Sequence, residues 1–301
     1  MFTFAKMFSI VHRKYPFLFS LVLAGFTGSV SNPSITGYHL DKPDKTLELP
    51  GLLKEISGVS DIDQNTVACI QDEKGILFIY DINKNEIKQL FNFGHNGDYE
   101  DIAMVGKTVY ILRSDGFIFE INDYTSADFK LKSYATEITS RNNEGLFYDA
   151  VNNQLLISTK AKIPKEHELK DMRFIYAFDL KTKKIVFEPV YVFDADAIRK
   201  FAHGKDKPEI LGSKKIKDTN EIKFLPSAIA IHPITKNLYL LSATDHMLFI
   251  FENGSLKHIE KLDHKIFNQA EGITFMKNGD MLISNEGRNA PPTLLRFNYL
   301  N

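Results

Sequence analysis

Three glutamates open the same kind of short strand in three separate parts of the chain. They are Glu100 in Glu100-Asp101-Ile102-Ala103-Met104, Glu144 in Glu144-Gly145-Leu146-Phe147-Tyr148, and Glu271 in Glu271-Gly272-Ile273-Thr274-Phe275. More acids follow the next strand of such segments: Asp72, Glu73, Asp115, Asp245 and Glu286. Asp98-Tyr99-Glu100 sets two carboxylates on either side of an aromatic. Carboxylates gathered in one place repel, and some of their pKa values rise unless something neutralises them. A bound cation is one remedy, and ligands that offer only oxygen favour Ca²⁺ over zinc. Pairing with Arg113, Lys160 and Arg288 is another. A third role is structural, with the glutamates satisfying backbone donors at the strand starts. The metal ligands nominated are Glu100, Glu144, Glu271, Asp98 and Asp72, with calcium as the cofactor.

Other chemistry has little footing. The chain has no Gly-x-Ser-x-Gly, P-loop, Gly-x-Gly-x-x-Gly or His-Glu-x-x-His motif. No catalytic residue and no organic cofactor is nominated. Cys69 is the single cysteine and lies in the apolar run Thr66-Val67-Ala68-Cys69-Ile70, which reads as a buried small hydrophobe. One cysteine permits neither an internal disulfide nor a cysteine metal cluster. His232, ahead of Pro233, reads as a turn histidine with its hydrogen bonds met locally.

The elements that must position these acids recur along the chain. The strand starts include Ser57-Gly58-Val59-Ser60 and Ser227-Ala228-Ile229-Ala230-Ile231 as well as the three glutamate segments. Counted from the second residue of each, the spacings are 43, 44, 83 and 44. Each start is followed by a polar or Gly-rich turn and a second apolar strand, for example Thr108 to Leu112 and Asp280 to Ser284. A third follows, such as Phe117 to Ile121 or Met247 to Phe251. Repeats of ~40–50 residues built from antiparallel strands are blades of a β-propeller. The fold class is therefore all-β, with five blades and six as the alternative. The long 83-residue interval is read as one blade plus an insertion at about residues 195–223, opened by a short helix from Ala195 to His203. The last repeat lacks a fourth strand, and Thr46-Leu47-Glu48-Leu49-Pro50 can close the ring there. Propeller geometry sets inner-strand starts and second-strand ends on one rim, so a crown of carboxylates is expected around one opening.

A chain of 301 residues with 44% hydrophobic and 25% charged residues is globular and long enough for a full core. The 37 basic and 38 acidic residues nearly cancel. That balance disfavours nucleic acid as a partner. Residues 1–31 read as a signal peptide or an uncleaved anchor, and 32–301 as one propeller domain. His12-Arg13-Lys14 precede the apolar stretch Tyr15 to Phe26, which suits export and is short for a membrane span. Phe26 stands where a lipidated cysteine would follow Leu23-Ala24-Gly25, so lipidation there is excluded.

Glu55-Ile56-Ser57-Gly58-Val59-Ser60, Gln71-Asp72-Glu73, Gly97-Asp98-Tyr99-Glu100-Asp101-Ile102-Ala103, Asn143-Glu144-Gly145-Leu146, Pro226 to Pro233 and Glu271-Gly272-Ile273 together resemble the SdiA-regulated, YjiK-like family. The resemblance runs from about Leu47 to Phe297 and rests on order and spacing. It implies a five-bladed propeller of the bacterial periplasm or cell envelope with a calcium site and no settled enzyme activity. Asp101 departs from the Gly usual after Tyr-Glu. The expected function is an exported, monomeric, calcium-binding propeller that recognises a protein or small-molecule ligand at its rim, with a possible membrane tether at the N-terminus. The alternatives are a metal-dependent hydrolase of phosphoesters or lactones using the same rim, and a ligand-free scaffold.

Overall fold

The structure is a computed structural model that describes residues 37–126, 128–140, 142–160, 171–203 and 222–300. The expected N-terminal export segment and most of the expected insertion lie outside these residues. The strands form five sheets of four antiparallel strands each. A lone four-stranded sheet cannot bury both faces, so the sheets pack in a ring as blades.

Blade 1 holds β2 (Ile56–Asp63), β3 (Thr66–Gln71), β4 (Ile76–Asp81) and β5 (Glu86–Asn92). Blade 2 holds β6 (Tyr99–Val105), β7 (Thr108–Arg113), β8 (Phe117–Asn122) and β9 (Lys130–Ala135). Blade 3 holds β10 (Asn143–Asp149), β11 (Gln154–Thr159), β12 (Met172–Asp179) and β13 (Lys184–Asp194). Blade 4 holds β14 (Ala228–Ile231), β15 (Leu238–Ser242), β16 (Met247–Glu252) and β17 (Ser255–Lys261). Blade 5 holds β18 (Ala270–Phe275), β19 (Met281–Asn285), β20 (Thr293–Phe297) and, from the other end of the chain, β1 (Lys45–Glu48). β1 pairs with β20 in the register Lys45 opposite Arg296, so the ring closes as the sequence implied.

Each blade seam carries its own hydrophobic cluster. Val59, Cys69 and Phe78 of blade 1 meet Leu47, Leu282 and Leu294 of blade 5. Ala68 and Ile70 meet Ile102 and Ile111 across the next seam. Cys69 is fully buried, and burial pushes its thiol pKa up, so it packs and does not react. The helix α1 (Ala195–His203) lays Ala195, Ile198 and Ala202 on the seam between blades 3 and 4. Their spacing of three and four residues makes one helical face.

His232 is wholly buried. Its Nδ1 accepts from the backbone N–H groups of Ile234 and Thr235, and its ring lies 4.9 Å from Phe275 and 4.6 Å from Tyr299. The turn role expected for it holds at Nδ1, but its buried Nε2 has no hydrogen-bond partner among the described residues, so its hydrogen bonds are only half met. Burial, chiefly, drives its pKa down to about 4.

Candidate functional site

One backbone irregularity recurs at the start of the inner strands. In blade 1, Ile56 pairs with Gln71 and Gly58 with Ile70, leaving Ser57 as an extra residue. In blade 2, Tyr99 pairs with Arg113 and Asp101 with Leu112, leaving Glu100. In blades 3 and 5 the extra residues are Glu144 and Glu271. A β-bulge turns its unpaired residue out of the ladder and re-aims the side chain. Here it turns each one onto the ring axis. Ser57, Glu100, Glu144, Ser227 and Glu271, one residue from each blade, line a single cavity of about 180 Å³.

The residue after each bulge must be small, because the next blade's inner strand passes close. A Cβ on Gly145 would stand 3.1 Å from the backbone nitrogen of Ile229. Asp101 breaks this rule and turns the closeness to use. Its Oδ2 accepts from Leu146 N at 2.7 Å and its Oδ1 from Ile102 N at 2.8 Å. Asp101 thus stitches blade 2 to blade 3 while the bulge at Glu100 is kept.

The second strands deliver the rest of the lining. Asp72, Lys160 and Glu286 each directly follow such a strand, and Asp98 and Arg288 complete the wall. All five nominated ligands therefore face one space. Three other expected rim acids do not. Glu73 is exposed and off the lining. Asp115 lies one residue beyond the lining position and is held by Arg113 in a two-pronged pair. Asp245 accepts from Ser242 Oγ and Lys223 N and braces a turn. Arg113, spent on Asp115 and stacked 4.8 Å over the Phe117 ring, does not reach the cavity. Ser57 and Ser227 were not nominated, although they hold the glutamate's place in the repeat.

Six carboxylates and two cationic side chains line the cavity. Compensation is uneven. Glu144 accepts from Lys160 Nζ at 2.6 Å and from Asn142 Nδ2 at 2.7 Å. Glu271 accepts from Gln269, and Glu286 from Arg288 Nε at 3.2 Å. Asn142 and Gln269 each stand two residues ahead of the glutamate they serve. In blade 2 that place is taken by Asp98, which cannot donate and whose own Oδ2 accepts from Ser114 Oγ.

Glu100 consequently has no hydrogen-bond or ion-pair partner among the described residues. Burial first, then the nearby charges of Glu144 and Asp98, push its pKa up to about 9. Asp72 Oδ1 is buried and has no partner in the described structure. Burial, followed by the charges of Glu55 and Glu286, raises the Asp72 pKa to about 6. Burial also lifts Glu144, Glu271 and Glu286. Among the described residues no three acidic, histidine or cysteine side chains already converge as a preformed metal cluster. The donor set itself is all oxygen, short of positive charge, and includes one orphaned buried carboxylate oxygen.

No family model and no curated protein matches the chain. Among solved structures, a glutaminyl cyclase from Myxococcus xanthus superposes with a TM-score of 0.54 at 12% identity, covering 85% of this chain and 94% of that one. A streptogramin B lyase superposes with a TM-score of 0.45 at 9% identity, covering 84% of this chain and 96% of that one. The cyclase likeness is one of fold, a ring of antiparallel blades.

Proposed function

We propose that the acidic mouth of this propeller binds a hard divalent cation, calcium foremost, and uses it to hold a ligand or partner at the rim. The observation that carries this reading is the pair of carboxylates left without protein partners, Glu100 and the Oδ1 side of Asp72. Buried polar atoms are rarely orphaned, and a polar, enclosed space with surplus negative charge suits a cation with its waters. Asp72, Asp98 and Glu100 would be its main ligands: none of them is paired with a cationic side chain and Asp98 is held only by the Ser114 hydroxyl, whereas Glu144 and Glu286 are paired with Lys160 and Arg288 and Glu271 with Gln269. The bound ion would supply an electrophilic centre for an oxygen-bearing ligand. The protein's part is to aim the carboxylates by bulges and to hold the hydroxyls of Ser57 and Ser227 beside them.

Resemblance to the SdiA-regulated, YjiK-like family supports the same reading and an envelope location. Among the described residues no helix is long and apolar enough to cross a membrane. Titration calorimetry with Ca²⁺ is the direct test. Binding by the native chain that is lost in Glu100→Gln supports the assignment; no heat and no change in melting temperature would sink it.

A metal-dependent hydrolase of phosphoesters or lactones is the second reading. It would use Glu100 as a proton donor to a leaving oxygen instead of as a ligand, in keeping with a pKa that burial and the charges of Glu144 and Asp98 push up to about 9 in the cation-free protein. Turnover that requires both calcium and Glu100 in a panel of such esters would select it.

A further inference from the structure

Of the two cationic side chains that line the mouth, the Lys160 ammonium is the one paired with an inner-strand glutamate. Around the ring, the residues that follow the second strands are Asp72, Ser114, Lys160, Ala243 and Glu286. Lys160 is the sole positive charge in this circle. It is fixed at both ends. Its backbone N–H donates to Asn142 O at 2.9 Å, and its Nζ donates to Glu144 Oε2 at 2.6 Å. The ion pair is largely shielded, with 20% of the lysine side chain and 7% of the glutamate side chain exposed. Asn142 therefore serves both members of the pair, because its side-chain nitrogen holds the other oxygen of Glu144.

This arrangement divides the mouth in two. On the side of blades 1 and 2, Asp72, Asp98 and Glu100 have no cationic partner in the cavity. On the side of blades 3 and 5, Glu144 is paired with the lysine, and Glu271 accepts from Gln269 and lies within reach of the lysine's charge. Its charge reaches Glu271 and Glu100 as well as Glu144, with the Glu144 attraction the strongest.

We propose that Lys160 is a tethered counter-ion that sets how many free cations the mouth accepts, holding the Glu144–Glu271 half closed and leaving the Asp72–Asp98–Glu100 half for one. The proposal deepens the cation-binding reading and rests on it. A tethered ammonium competes at a high effective concentration for the carboxylate it touches. Replacing it by a neutral side chain of similar length strips that competitor and adds one net negative charge to an enclosed space. Lys160 thereby acts on stoichiometry and affinity and is a specificity-setting residue that need not touch the bound ion.

The test compares native protein, Lys160→Met and Lys160→Arg by calcium titration calorimetry, with melting curves to verify folding. Lys160→Gln replaces Lys160→Met if the latter does not fold. The expected result is one calcium per native chain. The neutral variant should take a second ion or bind at least roughly tenfold more tightly, while Lys160→Arg stays like the native chain. If the neutral variant matches the native chain in both number and affinity, the proposal is overturned while the cation reading survives. If neither binds, both fall. Binding by the neutral variant alone supports the tethered counter-ion and refutes calcium as the native occupant.

Discussion

Asp98 precedes Glu100 by two residues, at the place from which Asn142 and Gln269 donate to Glu144 and Glu271. One exchange of amide for acid therefore removes a donor and adds a charge at the same point. It makes Glu100 the least compensated carboxylate of the mouth, with its pKa at about 9. The consequences are measurable.

Asp98→Asn should restore the missing donor. The variant should melt higher than the native chain in the absence of divalent cations and bind calcium more weakly, by about tenfold or more for loss of a charged ligand. Thermal unfolding with chelator and calorimetry with Ca²⁺ read the two effects. An unchanged calcium affinity would remove Asp98 from the ligand set.

Glu100→Gln should stabilise the cation-free chain by about 1–2 kcal/mol near pH 8, after allowance for screening by solvent at the mouth. Urea unfolding at pH 8 with chelator checks this. A destabilised variant would mean that Glu100 has a structural partner.

The pH dependence has a definite sign. Glu100 and Asp72 have pKa values raised to about 9 and about 6, so the folded chain holds protons that the unfolded chain has already lost. Their contribution to stability falls as pH rises from the ordinary carboxylate range through those values. Between pH 7 and 9 the melting temperature without divalent cations should drop, and saturating calcium should flatten the drop. An equally steep fall with calcium would contradict binding at Glu100.

His232 acts in another window. Its folded pKa of about 4 lies below the unfolded value, so it is neutral in the core and charges on unfolding. Its contribution is full above about pH 6.5 and is lost as pH falls toward 4, by up to about 3 kcal/mol. Comparison of the native chain with His232→Gln by urea unfolding across pH 4–7 tests this. The variant should be less stable at pH 7 and lose less as pH falls; equal slopes would rule the histidine out.

Asp101→Ala should cost about 1–3 kcal/mol, because the buried N–H of Leu146 would lose its acceptor. Urea unfolding reads it. A neutral result would mean that water or the backbone replaces the carboxylate at the blade 2–blade 3 seam.

The repeat made the blades legible. Glu100, Glu144 and Glu271 could be placed on one rim because they share a register with strands whose alternating apolar residues are plain. The polar outer strands β5 and β9 had no such signal, since they are largely exposed and lack a buried alternation. Bulges depend on which residue of the inner strand goes unpaired, and that pairing is not written in local sequence. Ser57 and Ser227 were overlooked for a related reason. A serine in the glutamate's place reads as loss of the site, although both line the same cavity, Ser57 from a bulge and Ser227 from the position just ahead of β14. Asp115 and Asp245 misled because one residue of offset after a strand decides whether a side chain enters the cavity or braces a turn.

The pairing of β1 with β20 has a consequence for how the molecule is made. Lys45 leaves the ribosome long before Arg296, its partner in the sheet. During that interval blades 1 to 4 can form, but blade 1 has no finished neighbour on one side, and Val59 and Phe78 wait uncovered for Leu282 and Leu294. The clasp can shut only once the last strand is synthesised. A chain cut short before β20 would therefore keep an open ring with an apolar flank.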